Sequence, residues 1–99
     1  MIVRVVKMTF QSGKQTEFEK IFSAASPKIR SFEGCLGLKL FVDHDNEQVY
    51  FTYSHWESLN HLNNYRSSGL FNQTWKETKV LFADKAEAWS LDELLNFSE

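Results

Sequence analysis

The sequence predicts one α+β domain whose elements run strand, helix, strand, strand, helix, strand: a ferredoxin-like split β-α-β with an antiparallel sheet and both helices on one face. Two observations carry this. Apolar residues recur at three- and four-residue steps in two long segments, and runs rich in alternating, β-branched or aromatic residues flank them, two of those runs being joined by turn residues. The 99 residues make a single domain by length, and a chain of this size buries only about 60 to 65% of the surface it exposes when unfolded. The core is therefore expected to be thin, spanning 2–91, with a tail over 92–99.

The first strand is read at Ile2 to Phe10, buried on both sides, with Arg4 on one face and Lys7 on the other. Ser12 and Gln15 have capping-box spacing, so a helix should start there. Phe18, Ile21, Phe22, Ala25, Ile29 and Phe32 form its apolar stripe. Pro27 removes the donor that would reach the Ser23 carbonyl, which predicts a kinked or two-piece helix closing at Gly34. Cys35 to Val42 alternates, Gln48 to Trp56 carries Val49, Tyr50, Phe51 and Tyr53, and Asp43-His44-Asp45-Asn46 supplies turn chemistry between them. A second helical stripe runs from Leu59 to Phe82 through Leu62, Tyr65, Phe71, Trp75 and Thr78. It breaks at Ser67-Ser68-Gly69, where Ser68 can cap a new helical piece. Lys85 to Leu91 reads as a weaker strand, and Leu94, Leu95 and Phe97 make the tail apolar enough to dock.

Composition narrows the function classes. Aromatics reach 15%, more than a thin core needs, so the rings either line a pocket or cover an interface, the interface being preferred. With helices on one face only, the apolar residues on the other face of the sheet need a cover, and a second copy of the chain is the simplest one. The net charge of −2 leaves no basic stripe for nucleic acid. Val49 to Tyr53 offers aromatics, as RNA-recognition sheets do, but lacks their signature and basic surround. No segment approaches the roughly 20 apolar residues of a membrane span. A single cysteine, Cys35, and no cleavable leader pattern point to the cytoplasm. His44, His55 and His61 lack zinc spacing, and no phosphate loop or nucleophile elbow occurs, so no metal is expected.

Three stretches carry a family resemblance: Phe32-Glu33-Gly34-Cys35-Leu36-Gly37-Leu38, Tyr53-Ser54-His55-Trp56-Glu57-Ser58 and Tyr65-Arg66-Ser67-Ser68-Gly69-Leu70-Phe71. Together they resemble the antibiotic-biosynthesis-monooxygenase domain family over Ile2 to Leu91. The resemblance implies a dimeric α+β barrel with a pocket in each subunit between the sheet and the broken second helix. It also implies a reaction class, the cofactor-free oxidation of a small phenolic or quinol-like molecule by oxygen. In that chemistry the substrate is deprotonated to an electron-rich anion, and the protein supplies a base, an apolar enclosure and a donor. The alternative is a non-catalytic small-molecule-binding or structural dimer.

Within that resemblance Lys7 takes a first-strand position that faces the pocket in several members, and Tyr65 falls where a His, Trp or Tyr faces it. Lys7, Tyr65 and His61, one helical turn before Tyr65, become the catalytic candidates: an anion-stabilising ammonium, a hydrogen-bond donor and a base. His55, Trp56, Phe71 and Trp75 become the substrate-binding candidates. Each has a plainer reading, as a core ring, an exposed histidine or an edge lysine. The chain also departs from the pattern: Leu70 stands where a His is common, and Lys7, Tyr65 and Trp75 replace the Asn, Trp and iron-ligating His of the haem-degrading branch, which argues against haem.

Overall fold

The computed structural model describes residues 1–98. In chain order it forms β1 (Ile2–Thr9), α1 (Gln15–Arg30), β2 (Cys35–Val42), β3 (Val49–Trp56), α2 (Leu59–Arg66), α3 (Gly69–Lys79) and β4 (Glu87–Leu91). The sheet order is β2-β3-β1-β4, with every neighbouring pair antiparallel. This is the expected ferredoxin-like α+β fold. No helix among the described residues is long and apolar enough to cross a membrane.

Local chemistry explains most element boundaries. In the β2–β3 turn the Asp43 carboxylate accepts from the amides of Asp45 and Asn46 at 2.8 and 3.2 Å, and the Asn46 side chain accepts from Gln48 at 3.0 Å. Ser58 and Ser68 cap α2 and α3 by accepting from the amides of His61 and Phe71. The break between the two helices is therefore a stop and a fresh start. The second stripe ends at Lys79, and Phe82 instead bridges to Phe10.

Three expectations are corrected. The start of α1 has no capping box: Lys14 holds the cap position without a side-chain bond, and the Gln15 side chain reaches back to the Gly13 amide at 2.8 Å, leaving Ser12 out. Pro27 does not split α1, which is continuous from Gln15 to Arg30. The Ser23 carbonyl that Pro27 deprives of a backbone donor accepts instead from the Ser26 hydroxyl at 3.2 Å, so the orphaned acceptor is satisfied locally. The tail does not dock on its own chain, since Leu94, Leu95 and Phe97 are 90, 71 and 88% exposed. Glu99, its last residue, lies outside the described residues.

The register sorts the sheet into two faces. Residues at even positions of β1 (Ile2, Arg4, Val6, Met8) share the helix-covered face with Thr52, Ser54 and Trp56, their partners on β3. Val3, Val5 and Lys7 share the other face with His55, Tyr53 and Phe51, and the helices pack on the opposite side. The first strand thus has helices on one side only; on the other, Val3 is buried while Val5 and Lys7 are half-buried. Two core clusters fill the covered side: Met8, Phe10, Phe18, Tyr50 and Leu81 at one end, and Ile2, Cys35, Trp56 and Leu62 at the other.

Candidate functional site

A cavity of about 270 Å³ lies between these clusters, with β1 and β3 as its floor and α1, α2 and α3 as its walls. Its size sits just below the usual span of small-molecule sites, about 300–1,000 Å³, and suits a molecule of one or two rings. The walls are mostly apolar, with Val6, Met8 and Phe22 among the lining residues. A run of rings along α2 and α3 builds one side. Tyr65 meets Phe71 edge-on at 5.3 Å, and Phe71 lies parallel to Trp75 at 5.9 Å. Behind Tyr65, Trp56 stacks at 4.9 Å and is fully buried, its indole N–H donating to the Ser54 hydroxyl at 2.9 Å. The high aromatic content thus goes largely into the pocket wall and core.

Few polar groups reach this cavity. Arg4 enters from the floor, in register with Ser54 on one side and Ser90 on the other, and donates to the Ser90 hydroxyl at 2.9 Å. Arg66, at the end of α2, lines the cavity from its exposed rim. Burial holds the Arg4 pKa below its ordinary value, and the nearby charge of Arg66 lowers it further. The Tyr65 phenol is pushed up to about 12, chiefly by burial and secondarily by the charge that Cys35 would carry. At neutral pH Tyr65 is therefore a protonated donor and cannot serve as a base. Burial also raises the Cys35 thiol, which opposes thiolate formation.

The structure brings together only part of the candidate set. Tyr65, Phe71 and Trp75 line the cavity, and Trp56 supports Tyr65 from behind. Lys7 does not line it. Opposite Phe51 and Glu87 on the uncovered face, it points away because side chains alternate along a strand. His55 shares that face, its Nε2 buried without a hydrogen-bond partner. His61 is also outside the cavity lining: its Nδ1 lies 2.6 Å from the Ser58 hydroxyl, and its side chain packs against Gly34. That ring is part of the α2 cap and of the contact with the loop before β2. Sequence reasoning missed Arg4 as a site residue. Its signal was present, a charge inside an apolar strand, but Lys7 carried the same signal on the opposite face.

A four-stranded antiparallel sheet, helices on one face and a ring-lined cavity between them define an α+β domain with room for a small molecule. A family model described as antibiotic biosynthesis monooxygenase matches residues 1–77, and the chain belongs to that family. Solved structures bearing the family's name share the fold. One from Caulobacter crescentus is 24% identical with a TM-score of 0.88, covering 95% of this chain and 90% of its own. Another from Bordetella bronchiseptica is 23% identical with a TM-score of 0.84, covering 95% and 97%. A third from Nitrosomonas europaea is 10% identical with a TM-score of 0.88, covering 96% and 100%. No curated protein matches the chain.

Proposed function

We propose that the chain is the subunit of a homodimeric, cofactor-independent monooxygenase that oxidises a small phenolic or quinol-like compound with molecular oxygen. The observation that carries this reading is the aromatic cavity between sheet and helices, whose apolar wall is interrupted by a protonated Tyr65 and a cationic Arg4. The rings hold an aromatic substrate and exclude water. Tyr65 donates to the substrate oxygen, and the Arg4 charge favours its ionised form, so the phenol loses its proton more readily than in water. The proton leaves to solvent, since none of the three histidines lines the cavity. The phenolate then reduces oxygen. One oxygen atom becomes bonded to a ring carbon and the other leaves as water with two substrate hydrogens. A hydroquinone ends as a hydroxyquinone and supplies all the electrons itself.

The uncovered sheet face supports the homodimer. Phe41, Trp89 and Leu91 are 49, 42 and 48% exposed there, beside half-buried Val5, Phe51 and Tyr53, a larger apolar patch than a soluble monomer usually shows. The buried free thiol of Cys35 suits a reducing cytoplasm. Oxygen uptake with a hydroquinone panel, above the uncatalysed rate, tests the reaction. No uptake with any member would leave a binding dimer in its place.

A further inference from the structure

We infer that Arg4 and Arg66 form a carboxylate site at one end of the cavity, so that the substrate is an aromatic hydroxy acid and not a neutral phenol. The inference rests on the aromatic-substrate reading above and adds a charged substituent to it.

Neither guanidinium forms an ion pair among the described residues. Among the described residues the one ion pair is Lys14–Glu17 at 3.9 Å, far from this wall in the sequence and on a different element. Carboxylates are not scarce in the chain: Asp and Glu number thirteen against eleven Lys and Arg. Among the described residues none forms an ion pair with Arg4 or Arg66. Two like charges at one apolar wall disfavour each other and cost desolvation, which the lowered Arg4 pKa expresses. A bound anion removes both penalties at once.

The donors present favour a planar monoanion. Arg4 has one N–H engaged with Ser90, and the rest of its rigid fork is free to meet two oxygens of a carboxylate side by side. Ser54 is in register with Arg4, accepts from Trp56 through its oxygen, and keeps its own proton to donate. Arg66 at the rim adds charge. A phosphate dianion would need more donors than one half-buried fork and one hydroxyl, and would leave oxygens against Val6 and Ala88 on the neighbouring row of the floor.

The test is calorimetric titration under nitrogen with a matched pair of probes, hydroquinone and 2,5-dihydroxybenzoate, with phenyl phosphate as a third. Wild type should bind 2,5-dihydroxybenzoate about tenfold to a hundredfold more tightly than hydroquinone, the worth of a charge-assisted pair. The preference should shrink as salt rises, disappear in Arg4→Gln and weaken in Arg66→Gln. Arg66 is exposed at a helix end, so its variant stays informative if Arg4→Gln melts early. Equal affinities, a preference that survives Arg4→Gln, tighter binding of phenyl phosphate, or no binding of either dihydroxy probe would overturn the inference. Oxygen uptake measured in parallel separates the two readings. Arginine-dependent binding without uptake keeps the carboxylate site and removes the monooxygenase; uptake with hydroquinone and no preference for the acid does the reverse.

Discussion

Gly34→Ala is expected to be among the most damaging single-methyl additions in this chain. Gly34 has φ +87°, and a Cβ built there would overlap the Cβ, Cγ and Cδ2 of His61. The conformation alone costs about 1–2 kcal/mol for a residue with a side chain. The overlap falls at the root of the imidazole, so His61 can escape only by leaving the Ser58 hydroxyl, which lies 2.6 Å from its Nδ1. That hydrogen bond is worth about 1 kcal/mol. The backbone offers little relief, because the Gly34 carbonyl accepts from the Glu57 amide at 2.8 Å and ties the loop to the start of α2. Together the loss is about 2–3 kcal/mol, or roughly 10 to 20 °C in melting temperature for a domain of this size. Urea unfolding of wild type, Gly34→Ala, His61→Ala and the double variant measures it. His61→Ala removes the ring overlap and the Ser58 hydrogen bond but keeps the Cβ that a methyl at Gly34 would meet, so in that background the glycine substitution should cost less by about 1 kcal/mol without falling to its backbone share alone. A single variant within 0.5 kcal/mol of wild type, measured against an expected loss several times that size, refutes the steric argument. The same cost in both backgrounds refutes the part assigned to His61.

The remaining predictions concern the cavity and the open sheet face. Tyr65→Phe should lower turnover of an accepted hydroquinone by about 10²-fold, as loss of one oxyanion donor does, with little change in melting temperature. Lys7→Met should leave that turnover near wild type because Lys7 faces away from the cavity. An oxygen electrode reads both, and a large loss in Lys7→Met would place the reaction on the other face. Folding keeps the Tyr65 phenol protonated to about pH 12 against an ordinary value of 10, so its contribution to stability is complete below pH 10 and is lost as pH rises toward 12. The two-unit gap corresponds to about 2–3 kcal/mol, and urea midpoints at pH 9 and 11.5 should fall less steeply in Tyr65→Phe than in wild type. Equal slopes would mean that the phenol is not held neutral by burial. Light scattering should find a dimer at micromolar concentration and a monomer for Trp89→Glu, which places a charge in the exposed apolar patch; a monomeric wild type would remove the dimer from the reading.

The element order, the β2–β3 turn and the break after α2 were legible in the sequence because each is written in neighbouring residues. Alternation marks a strand, three- and four-residue recurrence marks a helix, and the Asp43, Ser58 and Ser68 side chains satisfy amides two or three positions away. Phe71 and Trp75 were found in the same way, from one stripe on one broken helix; Tyr65 lies on that stripe too, but the family resemblance singled it out. The continuity of α1 through Pro27 was hidden by a single serine rotamer, the Ser26 hydroxyl that takes over the Ser23 carbonyl. The charged end of the cavity was hidden for a deeper reason. Period two separates Arg4 from Lys7 but carries no sign saying which side the helices will cover; that sign comes from the packing of α1, α2 and α3 across the sheet. His61 likewise had the spacing to share a face with Tyr65, yet Gly34, distant in sequence, occupies the space beside its ring and Ser58 holds it there. The sequence by itself determined the fold class, the strand and helix positions and the aromatic wall, all of which depend on local pattern. Only the tertiary structure decided that Arg4 and Arg66 meet at one cavity while Lys7, His55 and His61 do not line it, because that depends on which faces of distant segments come together.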